Sequence, residues 1–292
     1  MPASPPSLKP VLVAIGAVAC LSLMDAFMKF GALAIGAFSA AWLRSVVGTG
    51  IALPFWLARG ATWPQRRVLR LHILRGVVST FMALSFFYAL TKLPIAEAIA
   101  ISFVAPLIAL YFARLILGEE IRRQAVIGSL LGLAGTLVIV GGKIGRSNFN
   151  ADTALGLAAL SFSAVLYAYN FIVIRQQSQL AGPAEIATFH SGVSAVVLGL
   201  AAPFLFVTPG FQEMGAISMA ALLTVGGAVA IAWAYARAET QLLVPMEYTG
   251  FLWASLFGWI FFREPVTATA IAGTMCIVAG CWIATRKTAT SP

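Results

Sequence analysis

Four ionisable side chains interrupt stretches that are otherwise apolar: Asp25, Lys29, Arg44 and Arg75. A charge at the centre of a bilayer costs roughly 3 kcal/mol or more, so such groups face protein or a wet cavity and serve a function by default. Asp25 and Lys29 are one helical turn apart and share a face. Arg44 lies at a depth matching Asp25, about six to eight residues from the outer ends of their helices. Two readings follow. Lys29 or Arg44 holds a substrate carboxylate while Asp25 titrates, or Asp25 and Arg44 form a structural ion pair with Lys29 snorkelling to the surface. Arg75, with Ser79 one turn deeper, has the planar fork that matches a carboxylate. It could equally reach headgroups or serve as a topology charge.

The remaining carboxylates sit at helix starts and turns. Glu97 and Glu247 follow prolines near the start of apolar segments, where the helix dipole favours a negative charge. Each is read as a capped helix start or as a site for a substrate ammonium or a proton. Glu119 and Glu264 are read as turn or gate residues. Ser163, Tyr167 and Asn170 share one helix face, a stripe that either hydrogen-bonds a neighbouring helix or walls a cavity. Tyr111, Tyr167, Tyr169, Tyr248 and Trp253 lie deep in apolar segments and need polar partners there. Trp233 and Trp42 are further cavity candidates, whereas Tyr88 and Tyr235 sit near helix ends and fit an aromatic belt.

The elements that must position these groups are set by composition. Of 292 residues, 60% are hydrophobic and only 10% charged, with a mean hydropathy of +0.93. A soluble chain is nearer a quarter charged. In lipid only helices and closed barrels satisfy the backbone, and apolar runs of about 20 residues without strict alternation select helices. Ten spans are expected: 10–31, 36–58, 70–91, 94–117, 122–142, 152–174, 184–208, 215–237, 241–262 and 266–285. The first is read as a retained span and not a cleaved signal, because its apolar run continues past Asp25 and Lys29.

The net charge of +9 does not point to nucleic acid, since the basic residues fall between spans and not along one stripe. Lys9, Arg59, Arg66, Arg67, Arg70, Arg114, Arg122, Arg123, Arg175, Arg237, Arg286 and Lys287 lie on one side. Lys92, Lys143, Arg146 and Arg263 lie on the other. That bias places both termini in the cytoplasm. Cys20, Cys276 and Cys281 lie inside spans without a CxxC pattern, and His72 and His190 are isolated. Neither disulfide nor metal site is expected.

The segment from Leu115 to Val140 recurs 145 residues later. Glu119, Ala125, Gly128, Ala134 and Gly135 meet Glu264, Ala270, Gly273, Ala279 and Gly280. Gly128, Gly132 and Gly135, like Gly273 and Gly280, put small residues on one face, where another backbone can approach. The chain therefore divides into halves, residues 1–147 and 148–292. Five spans per half is odd, so the second half is inverted. Inverted repeats are how many secondary transporters build two interchangeable states around a midplane site.

With ten spans, two glutamate turns each followed by a Gly-rich helix, DAFMK at Asp25–Lys29, the intramembrane Arg44, and LPIAEAIAISFVAP ahead of LGEE, the chain resembles the drug/metabolite transporter superfamily of EamA type. Within it the chain is similar to the bacterial branch that exports aromatic and other bulky amino acids. In the second half LLVPMEYTGFLW departs from the proline-centred fourth helix of the repeat. The resemblance implies a bacterial inner-membrane carrier with a central cavity shared by both halves.

The expected molecule is thus an all-α polytopic membrane protein of ten transmembrane helices, a secondary transporter exporting amino acids, aromatic ones included, by alternating access. A multidrug or quaternary-cation exporter and a metabolite importer of the same fold are the alternatives. No Walker A or HExxH motif is present, so an enzyme is not expected, nor a cofactor. The expected partners are a small-molecule substrate and the lipid bilayer, not nucleic acid. The expected state is a monomer, with a dimer left open.

Overall fold

The computed structural model describes residues 8–92, 102, 104–141, 151–262 and 268–285. Among them the secondary structure is helical throughout, without a strand. Leu, Ala, Val and Ile runs, interrupted by Asp25 and Lys29, build α1 (Lys9–Ile35), which turns directly into α2 (Ala37–Leu57). The reversal is carried by Gly36, whose φ of +81° lies where side chains with a Cβ are strained. Its N–H still caps α1 by donating to the Ala32 carbonyl.

Next come α3 (Arg66–Lys92) and α4 (Ala105–Phe112), which continues as a π-helical turn over Ala113–Leu117. Gly118, at φ +69°, ends that run. Then follow α5 (Arg123–Gly141), α6 (Ala151–Ser178), α7 (Pro183–Gly199), the short α8 (Ala202–Leu205) and α9 (Phe211–Arg237). Among the described residues five stretches are long and apolar enough to cross a membrane: Lys9–Ala32, Ala37–Leu57, Arg66–Phe86, Ala154–Ser178 and Phe211–Arg237.

The expected span 241–262 is not one regular helix. It is split into α10 (Thr240–Leu243), a 3-10 turn (Val244–Tyr248) and α11 (Thr249–Phe262). Pro245 lacks an N–H and crowds the preceding turn, so the α-ladder cannot run through it. Side chains add bonds to carbonyls beyond the break: Thr249 Oγ1 donates to Met246 O at 2.6 Å, and Ser22 Oγ to Gly250 O at 3.3 Å. Irregular backbone of this kind is tolerated at membrane depth where it lines a cavity. The chain closes with α12 (Ala268–Thr285).

Packing joins early helices to late ones. The most extensive pairs are α5 with α12, α1 with α9, α3 with α6 and α2 with α7. The set maps onto itself when α1 exchanges with α6, α2 with α7, α3 with α9, and α5 with α12. The α5–α12 contact is made by the recurring glycines. A Cβ on Gly135 would fall 2.6 Å from the Gly273 carbonyl, and one on Gly280 would fall 2.6 Å from that of Gly128. These two approaches are each other's counterpart under the 145-residue repeat. Without Cβ atoms the two backbones meet directly, and dispersion acts over their full contact.

Candidate functional site

The helices enclose a cavity of about 370 Å³. Met24 and Asp25 enter it from α1, Arg44 from α2 and Arg75 from α3, while Asn170, His190 and Glu247 come from α6, α7 and the 3-10 turn. Phe86, Phe171 and Phe251 form part of an apolar wall.

One side of the cavity is cationic. Arg75 is only 6% exposed, so it reaches neither headgroups nor bulk water. Its Nε donates to Asn170 Oδ1 at 3.2 Å and its Nη1 to Gln177 Oε1 at 3.4 Å. Ser79 Oγ donates to the same Asn170 oxygen at 3.2 Å. Both acceptors of Arg75 are neutral amides, and no carboxylate oxygen lies within ion-pair distance of it among the described residues. Arg44 Nη1 approaches Met24 Sδ at 3.2 Å. The Asp25–Arg44 ion pair that sequence offered as one reading is not formed within 4 Å. Both side chains line the cavity separately.

The other side is acidic. Glu247 hangs from the 3-10 turn, and its Oε2 accepts a hydrogen bond from Tyr167 Oη at 2.8 Å. The Tyr167 ring is held 4.6 Å from that of Phe171. Tyr167 and Asn170 are both on α6, three residues apart. The acidic and basic sides are therefore anchored about 4.5 Å apart along one helix axis.

Two polar assemblies stand where α6 ends and α7 begins. In the first, Glu119 accepts from Thr240 N at 3.3 Å, Thr240 Oγ1 at 3.2 Å and Gln241 N at 3.4 Å, and meets Arg175 Nε at 3.4 Å. Arg175 also donates to the Tyr235 carbonyl, and Arg122 N donates to Gln241 Oε1 at 2.8 Å. Glu119 thus ties the turn before α5 to the end of α6 and the start of α10. In the second, His72 Nε2 meets Glu185 Oε1 at 2.8 Å and its Nδ1 meets Gln177 Nε2 at 2.5 Å. The His72 ring stacks on Phe189 at 4.4 Å.

The sequence candidates divide cleanly. Arg44, Arg75, Ser79, Tyr167 and Asn170 line the cavity together with Asp25 and Glu247. Tyr111 is 61% exposed on the outside of α4. Tyr248 is buried against α5, over the space a Cβ on Gly132 would occupy. Trp233 packs under Arg237, whose guanidinium carbon is 4.1 Å from the ring centre. Trp253 lies in a separate hollow with Ile15 and Val278. Tyr235 is fully buried and stacked on Phe171, not set in an interfacial belt. The Lys29 side chain, Glu97 and Glu264 lie outside the described residues. Sequence reading missed Gln177, Glu185 and the engagement of His72, because their partners come from other helices.

A family profile described as EamA-like transporter family matches residues 8–141 and 154–286. Among curated relatives, the pseudopaline exporter CntI of Pseudomonas aeruginosa is 28% identical over 93% of this chain and 94% of its own. The aromatic amino acid exporter YddG of Ancylobacter novellus is 26% identical over 83% of this chain and 85% of its own. The S-adenosylmethionine uptake transporter of Rickettsia prowazekii is 25% identical over 88% and 85%. A solved crystal structure superimposes with a TM-score of 0.82 at 24% identity, covering 94% of this chain and 98% of that one, a likeness of fold.

Proposed function

Because this chain belongs to the EamA-like transporter family, and is therefore a membrane transporter and not an enzyme, we propose that it exports small zwitterionic solutes, amino acids with aromatic ones included, from the bacterial cytoplasm across the inner membrane. The observation that carries this reading is the cavity itself. It offers cationic groups with no carboxylate within ion-pair distance among the described residues, an acidic side anchored on α6 one turn from the anchor of the cationic side, and an apolar wall. A single amino acid carries all three complements.

In this reading the chain is two halves, residues 1–147 and 148–292, of five spans each and opposite orientation, with both termini cytoplasmic. The exchange symmetry of the helix contacts supports the division into two halves. Rocking of the halves about the glycine contact of α5 and α12 would expose the site to each side in turn. The Glu119 and His72 assemblies then close the cytoplasmic end. Export follows the direction of the exporter relatives.

A second reading rests on Asp25, which lines the cavity without an ion-pair partner among the described residues. Such a carboxylate suits a quaternary cation or a sulfonium. The named uptake transporter keeps that substrate class and the import direction in view. The deciding experiment is uptake of labelled phenylalanine, threonine and quaternary or sulfonium cations into proteoliposomes, with and without a pH gradient, against empty liposomes. Saturable amino-acid flux is the expected result. Flux of cations alone would sink the amino-acid reading and make Asp25 and Glu247 the site.

A further inference from the structure

The hydrogen bonds around Arg75 can be assigned a direction, and the direction matters. A guanidinium only donates, so the Gln177 atom that it meets must be Oε1. Gln177 Nε2 therefore faces His72 Nδ1 and donates to it. That makes Nδ1 an acceptor and leaves the ring proton on Nε2, which donates to Glu185 Oε1. Doubly protonated His72 would need Gln177 reversed, setting its amide N–H against the Arg75 N–H. The chain Arg75 to Gln177 to His72 to Glu185 thus runs one way, from a cavity cation to a carboxylate in the first turn of α7. His72 and Gln177 are almost wholly buried, and stacking on Phe189 fixes the His72 ring.

This arrangement holds the guanidinium without neutralising it. Glu185 is separated from Arg75 by two uncharged groups. Arg75 spends one N–H on Asn170 and one on Gln177, so three remain without a protein acceptor among the described residues. Its Nη2 is not among the buried unpartnered atoms of the described residues, and Arg75 lines the cavity. Asn170 Oδ1 is occupied by Arg75 and Ser79, and Asn170 also lines the cavity. What faces the cavity here is a set of donors around a positive charge, the complement of a carboxylate.

We propose that Gln177, His72 and Glu185 are positioning residues that keep Arg75 oriented and without a counter-ion as the receptor for the solute carboxylate, and so decide that solutes bearing one are preferred. The proposal rests on the amino-acid reading above and adds where the carboxylate binds and what prepares that place.

The test compares uptake of phenylalanine with that of phenylalaninamide, which lacks the carboxylate, in proteoliposomes. Gln177→Glu puts a carboxylate directly beside Arg75. It is expected to raise KM for phenylalanine at least tenfold while leaving KM for the amide unchanged or lower, with kcat kept for both. Should that variant fail to insert, Glu185→Ala and Glu185→Gln decide the matter. The alanine removes the acceptor of His72 Nε2–H and is expected to raise KM for phenylalanine threefold or more. The glutamine keeps an acceptor and is expected to restore it. Equal changes for both solutes, or no change in Gln177→Glu and in Glu185→Ala, would overturn the proposal while the amino-acid reading stands. Wild-type protein that moves neither solute sinks that reading and this inference with it.

Discussion

Tyr167 donates its hydroxyl to Glu247 at 2.8 Å, joining α6 to a 3-10 turn 80 residues further along the chain. The contact sets the acidic side of the cavity at a fixed height on α6, one turn from Asn170 and the Arg75 guanidinium. It also shows why the break at Pro245 is useful: a regular helix would carry residue 247 round on its own periodicity.

Tyr167→Phe keeps the ring against Phe171 and removes only the donor. A hydrogen bond to a charged group contributes about 1.5–3 kcal/mol. We expect KM for ammonium-bearing solutes to rise about tenfold, with yield close to wild type and a thermal midpoint in detergent lowered by a few degrees. An unchanged KM would remove Glu247 from the solute path.

Gly135→Ala should be costly where an ordinary helical Gly→Ala is not. The added methyl meets the Gly273 carbonyl at 2.6 Å and Ile277 Cγ1 at 2.9 Å, so α5 and α12 must separate. Overpacking of this kind costs about 1–3 kcal/mol, read as a lowered thermal midpoint. Gly226→Ala on α9, where nothing lies within 4 Å, serves as the comparison and should leave the midpoint unchanged or slightly raised.

Glu119→Ala removes the acceptor of three donors and the partner of Arg175. The end of the bundle where α6 meets α10 should then open more often. A cysteine at Leu243, buried to 1%, reports this in a background with Cys20, Cys276 and Cys281 replaced by serine. Maleimide labelling should be several-fold faster with Glu119→Ala than with Glu119 intact. Equal labelling rates would assign Glu119 to static packing.

Tyr111→Ala is expected to leave transport and KM within about twofold of wild type, because the ring projects from the outside of α4 and away from the cavity. A large loss of transport with normal insertion would show that this outer face takes part in the cycle.

Much of this was legible in the order of residues. Hydropathy states the solvent that each segment tolerates, so helices and a membrane class follow from composition. The spacing of Gly128, Gly135, Gly273 and Gly280 identifies faces fit for close approach, and the structure places those faces against one another. The cost of a charge in hydrocarbon singles out Asp25, Arg44 and Arg75 before any fold is known, and all three line the cavity.

The partners were not legible. Periodicity reports the face of a helix on which a residue sits, not the helix that it meets. His72 and Gln177 are 105 positions apart, and His72 and Glu185 are 113 apart, so nothing local couples them. The same holds for Tyr235, whose place near a helix end read as interfacial until the packing of α6 and α9 enclosed it. Solvent preference is a property of each segment alone and is written along the chain. The pairing of Arg75 with a relay and not a counter-ion exists only once α3, α6 and α7 converge, because tertiary packing alone decides which polar groups share one dry volume.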